Sequence, residues 1–315
     1  MVVNRKVIVV TGPTASGKSG LAVEIAKAID GEIISADSMQ IYRGLDVGTA
    51  KVTKEETQGI PHHLIDICDI EENFSVGQYK NRCYEKIDEI LYRKKTPIIV
   101  GGTGLYINAV VNNMNFNDNE EESANGSDLK YREKLTKILE EKGKDFLHHM
   151  LEEVDCESSE KIHPNNVKRV MRALELAHCG TIKTDVVNKQ SLWYKNEVKY
   201  DFYIIYIDIK REILYDRINK RIDKMVQDGI LGEVGYIQSK NIPLDNTAIQ
   251  AIGYKELFPY IRGEKTLEEC KEKLKQNTRN YAKRQITWFK KLDKDYVYHI
   301  DDSVKEILDY ITKEK

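Results

Sequence analysis

The amino-acid sequence predicts an α/β fold, a parallel sheet flanked by helices, with a helical insertion domain set into it. Three observations carry that expectation. Short β-branched runs alternate with helical stretches, the rhythm of a parallel sheet. The runs Ile98-Ile99-Val100 and Phe202-Tyr203-Ile204-Ile205-Tyr206-Ile207 are continuously apolar, as strands covered on both faces are. Between them the chain turns polar from Asn112 to about Lys199, too long for a loop inside a compact sheet and too well patterned for a linker.

The first strand, Lys6 to Thr11, runs into Gly12-Pro13-Thr14-Ala15-Ser16-Gly17-Lys18-Ser19 and then a helix to Ile29. Strand before, helix after and every required residue type make this a P-loop. Its glycines let successive N–H groups turn inward, Lys18 adds a point charge, and the Ser19 hydroxyl reaches a magnesium ion held by phosphates. The loop specifies a bound di- or triphosphate and leaves the reaction open. A second strand, Glu32 to Ala36, ends in Ser35-Ala36-Asp37-Ser38-Met39-Gln40; a helix spans Val76 to Tyr92; a third strand, Pro97 to Gly101, ends in Gly101-Gly102-Thr103-Gly104. Helices around Leu129 to Glu141 and Val167 to Ala177 build the insertion, whose tip from Asn115 to Asp128 is rich in Asn and Glu. After the strand ending at Asp208, helices are expected at Arg211 to Asp228, Leu231 to Ser239, Tyr254 to Ile261 and Leu267 to Lys291. A strand near Tyr296 to Ile300 and a helix from Ser303 close the chain. The core thus comprises residues 1–112 and 200–315, and the insertion residues 113–199.

A net charge of -2 over 315 residues gives no global nucleic-acid signature, so a polyanion must be met by local basic patches. Five scattered cysteines, Cys68, Cys83, Cys156, Cys179 and Cys270, lack C-x-x-C spacing, which fits a reducing compartment without structural zinc. No leader precedes the first strand and no run of about eighteen apolar residues occurs, so a cytoplasmic protein without a membrane partner is expected.

In a doubly wound sheet, ligands bind beyond the carboxyl ends of the strands, which brings the three loops to one crevice. Asp37 has three readings there: magnesium binding through water, proton acceptance, or capping of the next turn. Thr103 offers a hydroxyl beside two glycines, or merely joins strand to helix. Arg217 and Arg221, four apart on one helix, present either a phosphate clamp or a solvated basic face. Between Lys271 and Lys291 stand eight Lys and Arg and one acid, with Lys275, Arg279 and Lys283 on one face and Leu274, Tyr281 and Trp288 on another. His163 to Arg172 opens a helix with further basic residues. Together these two segments favour a nucleic-acid partner.

The motifs in order resemble the bacterial tRNA dimethylallyltransferases: Gly12 to Ser19, Ile34 to Tyr42, Asp46 to Lys51, Pro61 to Leu64, Val100 to Tyr106, His163-Pro164-Asn165, Arg172 to Glu175, Gly253-Tyr254 and Ala282 to Trp288. The resemblance implies transfer of a five-carbon prenyl group from dimethylallyl diphosphate to N6 of the adenosine just 3′ of the anticodon, with magnesium as the ion and Ser19 as its ligand. It implies that Asp37 is the general base, Thr103 a hydroxyl contact at the reacting base, and Arg221, with Lys18, a clamp on the diphosphate. It further implies tRNA contacts at Asp37, Ser38, Met39, Gln40, Thr103, Arg132, Lys168, Arg169, Arg172, Gln250, Gly253, Lys255, Arg279, Lys283, Arg284 and Gln285. The expected partners are the anticodon stem-loop of tRNA and dimethylallyl diphosphate, bound by a monomer. Rival readings of the residues are a P-loop small-molecule kinase, an isopentenyltransferase of free adenine nucleotides, and a non-catalytic RNA-binding module, which would need neither an intact loop nor Asp37.

Overall fold

The run Val7-Ile8-Val9-Val10 becomes the inner strand β1 (Lys6–Thr11), buried from Val7 onward. Around it lie β2 (Gly31–Ser35), β3 (His62–His63), β4 (Thr96–Gly101), β5 (Asp201–Asp208) and β6 (Tyr296–His299), in the order β3-β2-β4-β1-β5-β6. All pairings are parallel. The chain leaves β1 toward β2 on one side and later leaves β4 for β5 on the other. The carboxyl ends of β1 and β4 therefore flank the point where outgoing connections diverge.

This computed structural model describes residues 5–114, 116, 127–178, 197–240, 242 and 246–313. The chain divides into two compact units, Met1–Asn113 with Glu197–Lys315, and Met114–Asn196. Most of the Asn- and Glu-rich tip, and Cys179, fall outside the described residues.

In the first unit the pleat sends Ile8, Val10, Ile33, Ile98, Val100, Ile205 and Ile207 to one face of the sheet. There they pack with α1 (Lys18–Ala28) and with Ile307 and Ile311 of the closing helix, Val304–Lys313. α2 (Lys54–Thr57) is a short capped turn; α3 (Val76–Tyr92) packs on β2 and β4, and α4 (Gly104–Val111) follows β4. α3 starts where expected because Ser75 accepts the Gln78 N–H while Gln78 accepts the Ser75 N–H, satisfying two orphan donors.

The second unit packs α5 (Ser127–Val154), α6 (Cys156–Lys161) and α7 (Val167–His178) through Leu135, Leu147, Leu151, Val170, Ala173 and Leu174. α5 runs past the expected end at Glu141, with a break at Gly143 (φ 80°) that only an unbranched backbone adopts readily. Asp155, whose side chain accepts the Ser158 N–H, starts α6, a helix not expected from the sequence.

Back in the first unit, α8 (Arg211–Gln227), α9 (Ile230–Ser239), α10 (Phe258–Ile261) and α11 (Leu267–Phe289) form a helical layer. Its apolar seam includes Leu214, Ile218, Ile222, Val234, Tyr254 and Leu274. The helix expected from Tyr254 begins only at Phe258. Tyr254 to Leu257 form turns, because Gly253 is left-handed (φ 120°) and its N–H is held by Glu256. The four described cysteines are free thiols, and among the described residues no helix is long and apolar enough to cross a membrane.

The short edge strand β3 is fixed by a buried ion cluster. Glu32, 4% exposed, accepts from Arg93 Nη2 at 2.7 Å and Nε at 3.2 Å, and lies 2.7 Å from His63 Nε2. Burial pushes this carboxyl up, but the hydrogen bonds from Arg93 and His63 outweigh it and hold it below the usual carboxylate range. Its contribution to stability is present above that range and is lost as pH falls through the depressed value. Arg93→Met is expected to lower stability at neutral pH by about 1–3 kcal/mol, less than for a fully buried pair because Arg93 is half-exposed and His63 remains. The difference should shrink as pH falls through the depressed Glu32 value and the carboxyl is protonated in both proteins; urea unfolding at neutral and at acid pH measures it.

Candidate functional site: a phosphate cradle opening into a second cavity

The loop after β1 is shaped by positive φ at Gly12 (155°), Ala15 (62°) and Gly17 (98°). A side chain at Gly12 would stand 3.1 Å from the Ile207 carbonyl, so the close approach of β5 also demands glycine. The Pro13 carbonyl accepts from Ser16 N at 3.3 Å and from Lys18 Nζ at 2.7 Å, folding the ammonium back over the loop. α1 starts at Lys18 without a side-chain cap, which leaves its first amides to an anion.

The loop is braced from outside. Gln285 of α11, 5% exposed, accepts the Thr14 N–H at 2.8 Å and donates through Nε2 to the Gly102 carbonyl at 2.9 Å. One amide thereby ties the phosphate cradle to the Gly101-Gly102-Thr103 turn. At Gly101 itself a Cβ would stand 2.1 Å from the Ala36 carbonyl, so the loops after β2 and β4 touch backbone to backbone. The Thr103 hydroxyl accepts the Ser38 N–H at 3.0 Å and donates to Ser38 Oγ at 3.3 Å. Asp37 Oδ1 accepts the Met39 N–H at 2.9 Å, the capping turn foreseen as one of its three readings.

Arg221 of α8 reaches back over the cradle, donating to Thr14 Oγ1 at 3.4 Å and to the Thr49 carbonyl at 3.3 Å. Its Nε, like the Ser16 hydroxyl, is buried with no hydrogen-bond partner among the described residues. Arg217, one turn earlier, donates to the Ser16 carbonyl at 3.4 Å. Desolvation lowers the Arg221 guanidinium, opposed by Asp37. Desolvation also pushes the Lys18 ammonium down to about 8, with Asp37 opposing and Arg221 adding to the shift.

These groups line two adjoining cavities. The larger, about 790 Å³, is bounded by Thr14, Lys18, Ser19, Asp37, Arg217 and Arg221. The smaller, about 370 Å³, is bounded by Met39, Ile218, Ile222, Tyr281, Arg284 and Lys255. Thr14, Ala15, Asp37, Thr49, Arg221 and Met225 belong to both walls. Among the described residues no three His, Cys, Asp or Glu side chains gather as a candidate metal site, and Ser19 is exposed in the first turn of α1.

The model of the family described as IPP transferase matches residues 40–292, beginning just after Asp37. The tRNA dimethylallyltransferase of Bacillus anthracis is 49% identical over 310 residues, covering 97% of this chain and 95% of that protein. This chain belongs to the IPP transferase family. Among solved structures, a tRNA isopentenylpyrophosphate transferase of Bacillus halodurans is 40% identical with a TM-score of 0.70, covering 98% of this chain and 96% of the other. A eukaryotic dimethylallyltransferase described as acting on tRNA is 29% identical with a TM-score of 0.81, covering 99% of this chain and 81% of the other.

In this IPP transferase the sequence-derived site residues fall into four groups. Thr14, Ala15, Gly17, Lys18, Ser19, Asp37, Gln40 and Arg221 line the larger cavity, and Ser38, Met39, Gln250, Gly253, Lys255 and Arg284 line the smaller. Gly12, Pro13, Ser16 and Thr103 stand behind these walls and shape them. Lys168, Arg169 and Arg132 are exposed on the second unit, where Arg132 and Arg172 share the buried Glu175 carboxylate. Gln285, among the expected tRNA contacts, is turned inward as a brace between Thr14 and Gly102. The stripe Lys275, Arg279, Lys283 is not one free basic face: Lys275 and Lys271 pair with Asp223, and Arg279 donates to Asn219 Oδ1 at 2.7 Å, because this part of α11 packs on α8. Only Lys283 of the three is exposed. Tyr281, grouped with Leu274 and Trp288 on the other face, lines the smaller cavity with Arg284 over its ring at 5.8 Å.

The folded protein holds Lys18 below its unfolded value, so the charged ammonium destabilises the fold below about pH 8, and that cost fades as pH rises toward the ordinary lysine range. A bound anion reverses the balance. Affinity for inorganic diphosphate, measured by calorimetry, is expected to fall as pH rises above about 8. In Lys18→Arg, which stays charged throughout, that inflection should vanish.

Proposed function

We propose that this IPP transferase moves a dimethylallyl group from dimethylallyl diphosphate to N6 of the adenosine 3′-adjacent to the tRNA anticodon, releasing diphosphate. The observation that carries this reading is the place of Asp37, on the wall common to a cationic cavity and a smaller one with apolar and aromatic sides. A diphosphate fits the first, against Lys18, Arg221 and the open amides of α1. A purine extruded from its stack, at about a few kcal/mol, fits the second beside Tyr281.

The N6 lone pair attacks the first carbon of the prenyl chain, the carbon–oxygen bond breaks, and its electron pair leaves with the diphosphate. An exocyclic amine is a poor nucleophile because its lone pair is delocalised into the ring. Asp37 therefore accepts the N6 proton as the new bond forms. Lys18 and Arg221, fixed before reaction, stabilise the charge growing on the departing oxygens. The donor set fits magnesium, a hard cation, with the Ser19 hydroxyl as its protein ligand; when bound it neutralises part of the diphosphate charge. Thr103 orients the Asp37 to Met39 segment through Ser38. Exposed Lys168, Arg169, Lys283 and Arg284 offer phosphate contacts to the anticodon stem-loop, and the helical unit serves as a tRNA-binding domain on a monomeric enzyme.

Labelled dimethylallyl diphosphate incubated with magnesium and either unmodified tRNA or AMP should label tRNA alone, without ATP. Asp37→Ala is expected to reduce that transfer by at least about 10²-fold, leaving tRNA affinity within a few fold. Near-normal turnover in this variant removes Asp37 as the base. Raising salt should weaken tRNA binding steeply in a filter-binding titration, and Lys168→Ala with Arg169→Ala should flatten the slope; a flat wild-type response argues for a small-molecule acceptor.

A further inference from the structure

Glu233 of α9 lies outside the residues considered so far, yet its carboxylate accepts four hydrogen bonds. Oε1 takes the N–H groups of Asp46 at 3.0 Å and Val47 at 2.7 Å, and Oε2 takes the Gly48 N–H at 3.0 Å and the Tyr254 hydroxyl at 2.9 Å. Three successive amides converging on one acid form an anion nest filled from within the protein.

The residue that follows the nest is Thr49, which lines both cavities. Its carbonyl accepts from Arg221 Nη2 at 3.3 Å and from Gln40 Nε2 at 3.4 Å, so the position of the nest sets where Arg221 is held. On the other side the Tyr254 ring fills the space over Gly48, where a Cβ would stand 2.5 Å from Cζ. Tyr254 is flanked by Gly253 and Lys255 of the smaller cavity. Burial, and after it the charge of Glu233, hold the phenol protonated, so it remains a donor.

We propose that Glu233 is a positioning residue for diphosphate: by clasping Asp46 to Gly48 it fixes the Thr49 carbonyl and through it the Arg221 guanidinium. The identity of the diphosphate rests on the function proposed above. Four donors and no acceptor face the carboxylate, so an amide in its place must turn an NH₂ toward at least one N–H.

The test is inorganic diphosphate binding by calorimetry, with steady-state transfer and thermal unfolding, on Glu233→Gln, Glu233→Asp and Tyr254→Phe. Glu233→Gln is expected to weaken diphosphate binding and raise KM for dimethylallyl diphosphate about tenfold, with Tyr254→Phe, which removes one bond of four, weakening it less. An unchanged affinity and KM, with loss only of kcat or unfolding midpoint, marks a merely structural role and overturns the proposal. Should Glu233→Gln not fold, Glu233→Asp, which retracts the charge from the nest, is expected to show the affinity loss, and normal affinity there overturns it equally. A wild type that binds diphosphate but labels no tRNA defeats the functional reading while leaving the comparison of affinities to decide Glu233.

Discussion

Two cations share one low-dielectric wall before any anion is present, and much of the first unit is arranged around that constraint. Desolvation lowers both Lys18 and Arg221, each also feels Asp37, and Lys18 feels the like charge of Arg221. Left alone, such a pair would swing apart into solvent. Lys18 is instead folded onto the Pro13 carbonyl, and Arg221 is held between Thr14 and Thr49. The field that the proposed diphosphate would meet is thus already assembled, and in that reaction little reorganisation is needed as charge grows on a leaving oxygen.

How much of this was legible in the sequence depends on how local each feature is. The β1-loop-α1 unit was legible because its signals are consecutive: an apolar strand, two glycines at fixed spacing, a lysine and a hydroxyl. The helix over Val76–Tyr92 was legible to the residue because its capping box is written in the chain. The two-residue strand β3 was not, since its place depends on the ion cluster at Glu32 rather than on its own propensity. Gln285 and Glu233 lie 271 and 187 residues from the loop residues they hold, Thr14 and Asp46, and no spacing rule reaches that far.

The basic segments show the limit of helical periodicity. Spacing of i, i+4, i+8 correctly groups side chains on one face of α11, but it does not say what that face meets. Where the face meets α8, Asp223 takes up Lys271 and Lys275, and of the stripe Lys275, Arg279 and Lys283 only Lys283 stays exposed, beside Arg284. In the second unit Glu175, nearly inaccessible, binds Arg132 and Arg172, while Lys168 and Arg169 one turn away stay in water.

The same loop serves enzymes that move phosphoryl groups, and geometry beyond the loop separates the two chemistries. In phosphoryl transfer the attacked phosphorus lies in the cradle, so the acceptor and its base must crowd the phosphates. In the proposed alkyl transfer the attacked atom is a carbon beyond the last bridging oxygen, and the base must stand one step outside the cradle, where an uncharged group can approach. Asp37 meets that demand: it faces the cationic cavity on one side and, on the other, a cavity walled by Met39, Ile218, Ile222 and Tyr281. Those apolar and aromatic walls offer a purine a surface to lie against, beside the cationic Arg221, Lys255 and Arg284 of the same lining. In the proposed transfer, the position of one carboxylate at the junction of the two cavities therefore separates the departing diphosphate from the base that is alkylated.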